Sequence, residues 1–299
     1  MTKKAVIEKT AQIIFFICAA IAIFAVCAIT LYMFLKGTPA LKEVGVLDLL
    51  FGAEWKPTAK EPAYGVLYII LSSIAGTGVS VLMGVPIGLL TAVFLSEIAE
   101  KRLAAAVSSA VELLAAIPSV IYGLIGMMVL NPWMYKLEKL IFDGDSSHQF
   151  TGGANLLSAI IVLAIMILPT VISVSTTSLK AVAKDLRSAS LALGATKIQT
   201  IFKVVVPAAK SGILTGAVLG IGRALGEAMA INMVAGGSVN IPLPFNSVRT
   251  LTTQIVSEMG YAQGLHRQVL FTVGLILYVF IMIVNYLLLR ARKKGVADA

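Results

Sequence analysis

A helix needs about 20 consecutive apolar residues to cross the hydrocarbon of a bilayer, and this chain offers six runs of that order. They lie at about 11–35, 65–95, 103–130, 156–179, 212–235 and 269–289. With no water in the bilayer core, every backbone N–H and C=O must find its partner within the protein, which favours helices. The ten-residue alternation of a membrane barrel is absent from the sequence. Of the 299 residues, 58% are hydrophobic and 13% charged, a balance foreign to soluble domains. The expected fold is all-α: a polytopic membrane protein with six transmembrane helices, forming one domain over 1–299.

Lys and Arg orient it. If both ends are cytoplasmic, the inside segments hold fifteen of the 24 Lys and Arg residues and the outside loops eight, with Arg223 left in a span. That asymmetry places both termini inside. The net charge of +9 is then membrane topology and not a nucleic-acid footprint. The first run is too long for a signal-peptide core and reads as a retained helix. Cys18 and Cys27 are nine residues apart on opposite faces of it, which argues against a disulfide or a metal site.

The segment 180–210 is polar. Leu179, Val182, Leu186, Ala189 and Leu193 recur at steps of three and four, the stripe of an amphipathic helix. Gly194 supplies its left-handed stop. Thr196 and Gln199 fit a capping box that starts a second short helix, and Pro207 is expected to block its continuation. Two short helices meeting at a glycine corner outside the bilayer are expected, with an ordinary surface loop as the alternative.

The fifth run carries two charges. Gly212, Gly216, Gly220, Arg223 and Glu227 fall within roughly 80 degrees of one another on a helix. Glycines at this spacing admit another backbone, and a charge at membrane depth costs about 2.5–3.5 kcal/mol unless it faces protein or water. Arg223 and Glu227, four residues apart, are expected to neutralise each other when no ligand is present. They mark either a substrate pathway or a structural lock between helices.

In the third run Ser108, Glu112, Ser119, Gly123 and Gly126 share one face of a continuous helix, with Pro118 in its middle. This stripe is a second candidate lining, and Glu112 alternatively reaches the interface. Ile117-Pro118-Ser119-Val120-Ile121 is echoed in the fourth run by Leu168-Pro169-Thr170-Val171-Ile172. The second run is rich in small residues, with Pro86 as the expected place for a bend. The stretches 36–64, 131–155 and 236–266 read as external. Within them Trp55 is an interfacial anchor or a partner contact, His148 a solvated loop residue, and the last stretch re-entrant or surface-lying.

Several of these motifs resemble those of a known family. Ser188-Ala189-Ser190, three residues, Gly194-Ala195-Thr196, and then Val204-x-Val206-Pro207 follow the cytoplasmic signature of ABC importer permeases: Glu-Ala-Ala, three residues, Gly, nine residues, Ile-x-Leu-Pro. Ser188 stands where the family has Glu, a departure that bears on contacts needing that carboxylate. Glu112-Leu113-Leu114-Ala115-Ala116-Ile117-Pro118-Ser119-Val120-Ile121-Tyr122-Gly123 and Gly222-Arg223-Ala224-Leu225-Gly226-Glu227-Ala228-Met229-Ala230 are similar to motifs of the phosphate-importer permeases, PstC type more than PstA type. The resemblance implies a type I ABC importer permease fold in a bacterial or archaeal inner membrane. It also implies a PstA-type second permease, two PstB-type ATPases that bind ATP and magnesium, and an external PstS-type phosphate-binding protein. This sequence has no Gly-x4-Gly-Lys-Ser/Thr loop, so the chain is expected to bind no cofactor and to be a transport subunit and not an enzyme. In that picture Arg223 and Glu227, with Glu112 and Ser119, line the phosphate path, and the Gly194 corner docks on an ATPase. Permeases for molybdate or sulfate, and a transporter or channel working without an ATPase, are the other expectations.

Overall fold

The computed structural model describes residues 3–144, 146 and 148–297. In chain order α1 (Lys3–Val44) and α2 (Val46–Phe51) lead to a small antiparallel hairpin, β1 (Trp55–Lys56) and β2 (Ala63–Tyr64). Then come α3 (Leu67–Val93), which runs on through a π turn at Phe94–Ile98, α4 (Lys101–Ala116), α5 (Ser119–Ile125), a π turn at Gly126–Leu130 and α6 (Asn131–Ile141). The second half holds α7 (Leu156–Lys180), α8 (Lys184–Ala192), α9 (Lys197–Thr200), a π turn at Ile201–Val205, α10 (Val206–Ala208), α11 (Lys210–Gly226), α12 (Met229–Val234), α13 (Leu251–Glu258) and α14 (Gly264–Ala297).

Among the described residues four helices are long and apolar enough to cross a membrane, and six spans result if two bent pairs are each taken as one crossing. At the centre stands α7. Leu163, Met166, Ile167 and Val171 on it are at most 2% exposed, because helices pack on two of its sides through small residues. A Cβ on Gly84 of α3 would lie 2.6 Å from Ile167 Cδ1, and one on Gly88 would lie 2.8 Å from Val171 Cγ1. From the other side Gly216 and Gly220 of α11 approach Val174 and Val171 at 3.2 and 3.1 Å in the same sense. In lipid, apolar burial gives little drive, so such close van der Waals approach is what joins helices. Pro86 and Pro169 both lie inside unbroken helices.

By contrast α1 is almost wholly exposed and touches the body mainly through α14, where Thr272 Oγ1 donates to Gly37 O at 2.8 Å and Tyr32 meets Phe271 edge-on. Its apolar side chains are left exposed along its length.

Two spans depart from expectation. The third is not one helix: α4 and the Ser119–Ile141 segment meet at 97°, so Ser108 and Glu112 share no face with Ser119, Gly123 and Gly126. Pro118 cannot donate, Ile117 is extended (φ −68, ψ 127), and the chain turns there. The fifth ends at Gly226, and α12 restarts after a two-residue break. The stretch taken as the external loop 131–155 begins with helix α6.

The hairpin end is tied together by buried carboxylates. Glu258, 4% exposed, accepts from Trp55 Nε1 at 3.0 Å, from His266 Nε2 at 2.7 Å and from Arg249 Nη1. Trp55 is therefore an internal contact, packed against Tyr64 and His266, and not an interfacial anchor. Burial, with Glu43 nearby, raises the Tyr64 phenol above its ordinary value, so it stays neutral beside His266. Glu138 is fully buried, with His148 Nε2 2.9 Å away and Thr151 N donating at 2.9 Å. His148 stacks on Phe142 and is not a solvated loop residue. Buried carboxyl groups are tolerated where several donors fill their lone pairs.

Candidate translocation and coupling sites

Arg223 sits on the last turn of α11, at the edge of the glycine face that packs on α7. One turn of geometry explains its position: it lies roughly 60 degrees from Gly220 and within about 100 degrees of Gly222. Gly222 and Gly226 are exposed, with no heavy atom within 4 Å of a Cβ built on either. Arg223 is half-buried between the closed side and this open one. Among the described residues its guanidinium has no hydrogen-bond or ion-pair partner, and the Tyr122 hydroxyl lies within its electrostatic reach.

The expected neutralising pair is not formed. Glu227 falls just past the helix in extended backbone (φ −74, ψ 128), which carries its side chain off the α11 face. Its Oε1 accepts from Ala230 N at 2.9 Å and caps α12, while its own carbonyl accepts from Thr252 Oγ1 at 2.7 Å. A carboxylate at a helix start is favoured by the exposed N–H groups there. Glu227 is buried, and its Oε2 is left without a hydrogen bond among the described residues.

Thr252 belongs to α13, whose start penetrates the body: Leu251 N donates to Ser73 Oγ of α3 at 2.8 Å. The stretch 236–266 is thus partly inserted against the break. A capping box of Thr250 and Thr253 starts α13. That Thr-x-x-Thr signature was available in the sequence, but the target Glu227 lies 25 residues away.

At the third-span break, Ser119 is half-buried at the start of α5 and Glu112 is exposed on α4. Tyr122 Oη donates to Leu114 O at 2.8 Å, bridging the turn. Gly123 and Gly126 are filled from α12: a Cβ there would meet Ala230 Cα at 2.8 Å and Val234 Cγ1 at 2.7 Å. So α5 is seated on the helix that Glu227 caps. Tyr122 falls inside the Glu112–Gly123 motif, but its role was not read from the sequence, where the signal is an aromatic hydroxyl placed to reach a carbonyl that Pro118 leaves without its helical donor.

The glycine corner forms as the local chemistry dictates. Gly194 takes φ +84, Gly194 N donates to Leu191 O at 3.0 Å and Ala195 N to Ser190 O at 3.2 Å, the two bonds of a Schellman stop. Thr196 and Gln199 make both bonds of the capping box. Pro207 does not end the second helix. The π turn at Ile201–Val205 makes room ahead of its ring, the helix runs to Ala208, and the bend of 69° follows. Ser190 is buried and hydrogen-bonded to Thr200, Ala195 is half-buried, and Ser188, Ala189 and Thr196 are exposed. Leu193 is 90% exposed, Ile198 68% and Phe202 50%: these apolar side chains of the elbow face outward, uncovered by the described residues. An uncovered apolar patch of this kind marks a protein contact.

Residues 84–297 match the model of the binding-protein-dependent transport system inner membrane component family. The chain belongs to this family. It is a permease, a multi-pass membrane transport subunit. It is 39% identical over 289 residues, 94% of its own length and 90% of the relative's, to the probable ABC transporter permease protein YqgH of Bacillus subtilis. It is 34% identical over 291 residues to the phosphate transport system permease protein PstC of Xylella fastidiosa (strain 9a5c), covering 92% of this chain and 89% of that one. Its fold is that of ABC importer permeases: a chain of a bacterial alginate ABC transporter aligns with TM-score 0.64 at 18% identity, over 96% of both chains. A methionine ABC transporter in an inward-facing conformation gives TM-score 0.56 at 24% identity, over 77% of this permease and 95% of that chain.

Proposed function

We propose that this permease is the PstC-type subunit of an ATP-driven phosphate importer in a bacterial or archaeal inner membrane, with both termini cytoplasmic. The observation that carries the reading is Arg223, half-buried in a span and without a partner among the described residues. Its planar fork of donors matches a phosphate bidentately. The open side of α11 at Gly222 and Gly226 is where a related PstA-type permease closes the path. Two PstB-type ATPases, carrying ATP and magnesium, dock on the apolar elbow around Gly194, and a PstS-type binding protein delivers phosphate to the hairpin end. Relatives of the permease that are named PstC support this assignment.

In this reading Arg223 receives phosphate, and the free Oε2 of Glu227 accepts a hydrogen bond from the P–OH of monohydrogen phosphate. Sulfate has no proton to give at neutral pH, so its approach leaves that carboxylate facing an unshielded anion. Ser119 and Glu112 stand at the third-span break as secondary lining groups. Arg223→Gln in the reconstituted complex should cut phosphate uptake about 30-fold or more, from the loss of about 2 kcal/mol of charge-assisted bonding. Uptake at the wild-type rate sinks the assignment. The Bacillus relative is named only as an ABC transporter permease, so a molybdate or sulfate permease is the second reading. Competition by those anions against labelled phosphate separates the two.

A further inference from the structure

The elbow joins the membrane body at two backbone bends: the non-helical residues 181–183 between α7 and α8, and the 69° corner between α10 and α11. Bends are where imposed rotations are absorbed. Inside the elbow, Ser190 Oγ and Thr200 Oγ1 lie 2.9 Å apart and buried, which makes α8 and α9 one piece. A push on that piece would dissipate at the bends unless something braced it.

Arg187 is the brace. Its Nη2 donates to Glu97 Oε1 at 2.7 Å and its Nε to Glu97 Oε2 at 3.2 Å, a two-pronged bond between residues 90 apart. The same guanidinium donates to Leu179 O at 2.8 Å and to Val182 O, holding the end of α7. The two side chains are 21% and 10% exposed, so salt screens the pair weakly. Glu97 is presented by the π turn that closes α3. From there α3 runs unbroken to Ser73, which accepts from Leu251 N, and α13 reaches Glu227 through Thr252. One rigid helix thus has the elbow at one end and the Glu227 break at the other.

We propose that Arg187 and Glu97 form a transmission clasp, a positioning pair that makes the elbow and α3 move as one body when the motor displaces the elbow. The proposal rests on the ATP-driven importer reading above, and its test is separable from that reading. In proteoliposomes holding this permease with its companion permease, ATPases and binding protein, Glu97→Gln and Arg187→Lys should assemble normally and hydrolyse ATP within about twofold of wild type. Phosphate taken up per ATP should fall about tenfold in Glu97→Gln and partway in Arg187→Lys, which keeps charge but loses the fork. The double variant should be no worse than Glu97→Gln alone. Wild-type coupling in either single variant overturns the clasp.

A second measurement needs no cargo. With Cys18 and Cys27 replaced by Ser, nitroxides on Glu100→Cys and Lys184→Cys, both exposed positions, report the spacing of α8 from the end of α3. That spacing should be the same in nucleotide-free and vanadate-trapped complexes and should spread in Glu97→Gln. A spacing that changes with nucleotide in the otherwise wild-type chain overturns the proposal. A complex that hydrolyses ATP yet imports no phosphate sinks the cargo assignment alone, and the label spacing still decides the clasp.

Discussion

Two near-identical pentads have opposite fates in this permease. Leu168-Pro169-Thr170-Val171-Ile172 lies inside the unbroken α7, whereas Ile117-Pro118-Ser119-Val120-Ile121 is where the third span turns through 97°. Both prolines remove a donor and crowd the preceding turn. Around Pro169, however, Ile167, Val171 and Ile172 are clamped between α3, α4 and α11. Around Pro118 burial is one-sided, through Tyr122, Gly123 and Gly126, and Tyr122 takes up the Leu114 carbonyl. A proline permits a break; the surrounding packing decides whether it is taken. Ser119 and Tyr122 lie where it is taken, and the stack of α3, α7 and α11 surrounds the place where it is not.

The largest effect expected from breaking this contrast comes from the closed stack. Gly84→Leu drives a side chain into Ile167 and should cost about 3 kcal/mol or more, read as loss of folded protein in detergent. Gly78→Leu, on the same helix but with nothing within 4 Å, should leave the yield unchanged. Equal losses from both would remove the distinction between packed and open faces. Next is Tyr122→Phe, which strips the bridge across the Pro118 turn and should lower thermal stability by about 1 kcal/mol. An unchanged melting temperature would mean that the turn holds without it. Smallest is Pro169→Ala, expected to shift stability by less than about 0.5 kcal/mol, because a backbone bond gained offsets ring packing lost. A larger loss there than in Tyr122→Phe would make the proline itself, and not its neighbours, the determinant.

What was legible in the sequence was local. The apolar runs marked the spans, and Gly194 with Thr196 and Gln199 marked the corner, because those bonds close within six residues. The breaks were not legible. The Arg223–Glu227 pair was drawn on a continuous helix, and what ends that helix at Gly226 includes a Thr252 hydroxyl from a distant segment. Trp55 read as an interfacial anchor since its acceptor, Glu258, is 203 residues away. His148 was misread for the same kind of reason: its burial follows from Glu138 and Phe142 folding back over it. Pro207 was read as a stop because a widened turn ahead of it is not written in any single residue.

The four segments that meet at Glu258 also set an order of manufacture. Trp55 leaves the ribosome early, Arg249 and Glu258 much later, and His266 last, at the root of the final helix. Until that helix is threaded, the carboxylate lacks one of its donors, and burying it incompletely satisfied costs several kcal/mol. A chain stalled before α14 therefore lacks the His266 bond, and the hairpin end cannot close around Glu258 until the last helix is in place.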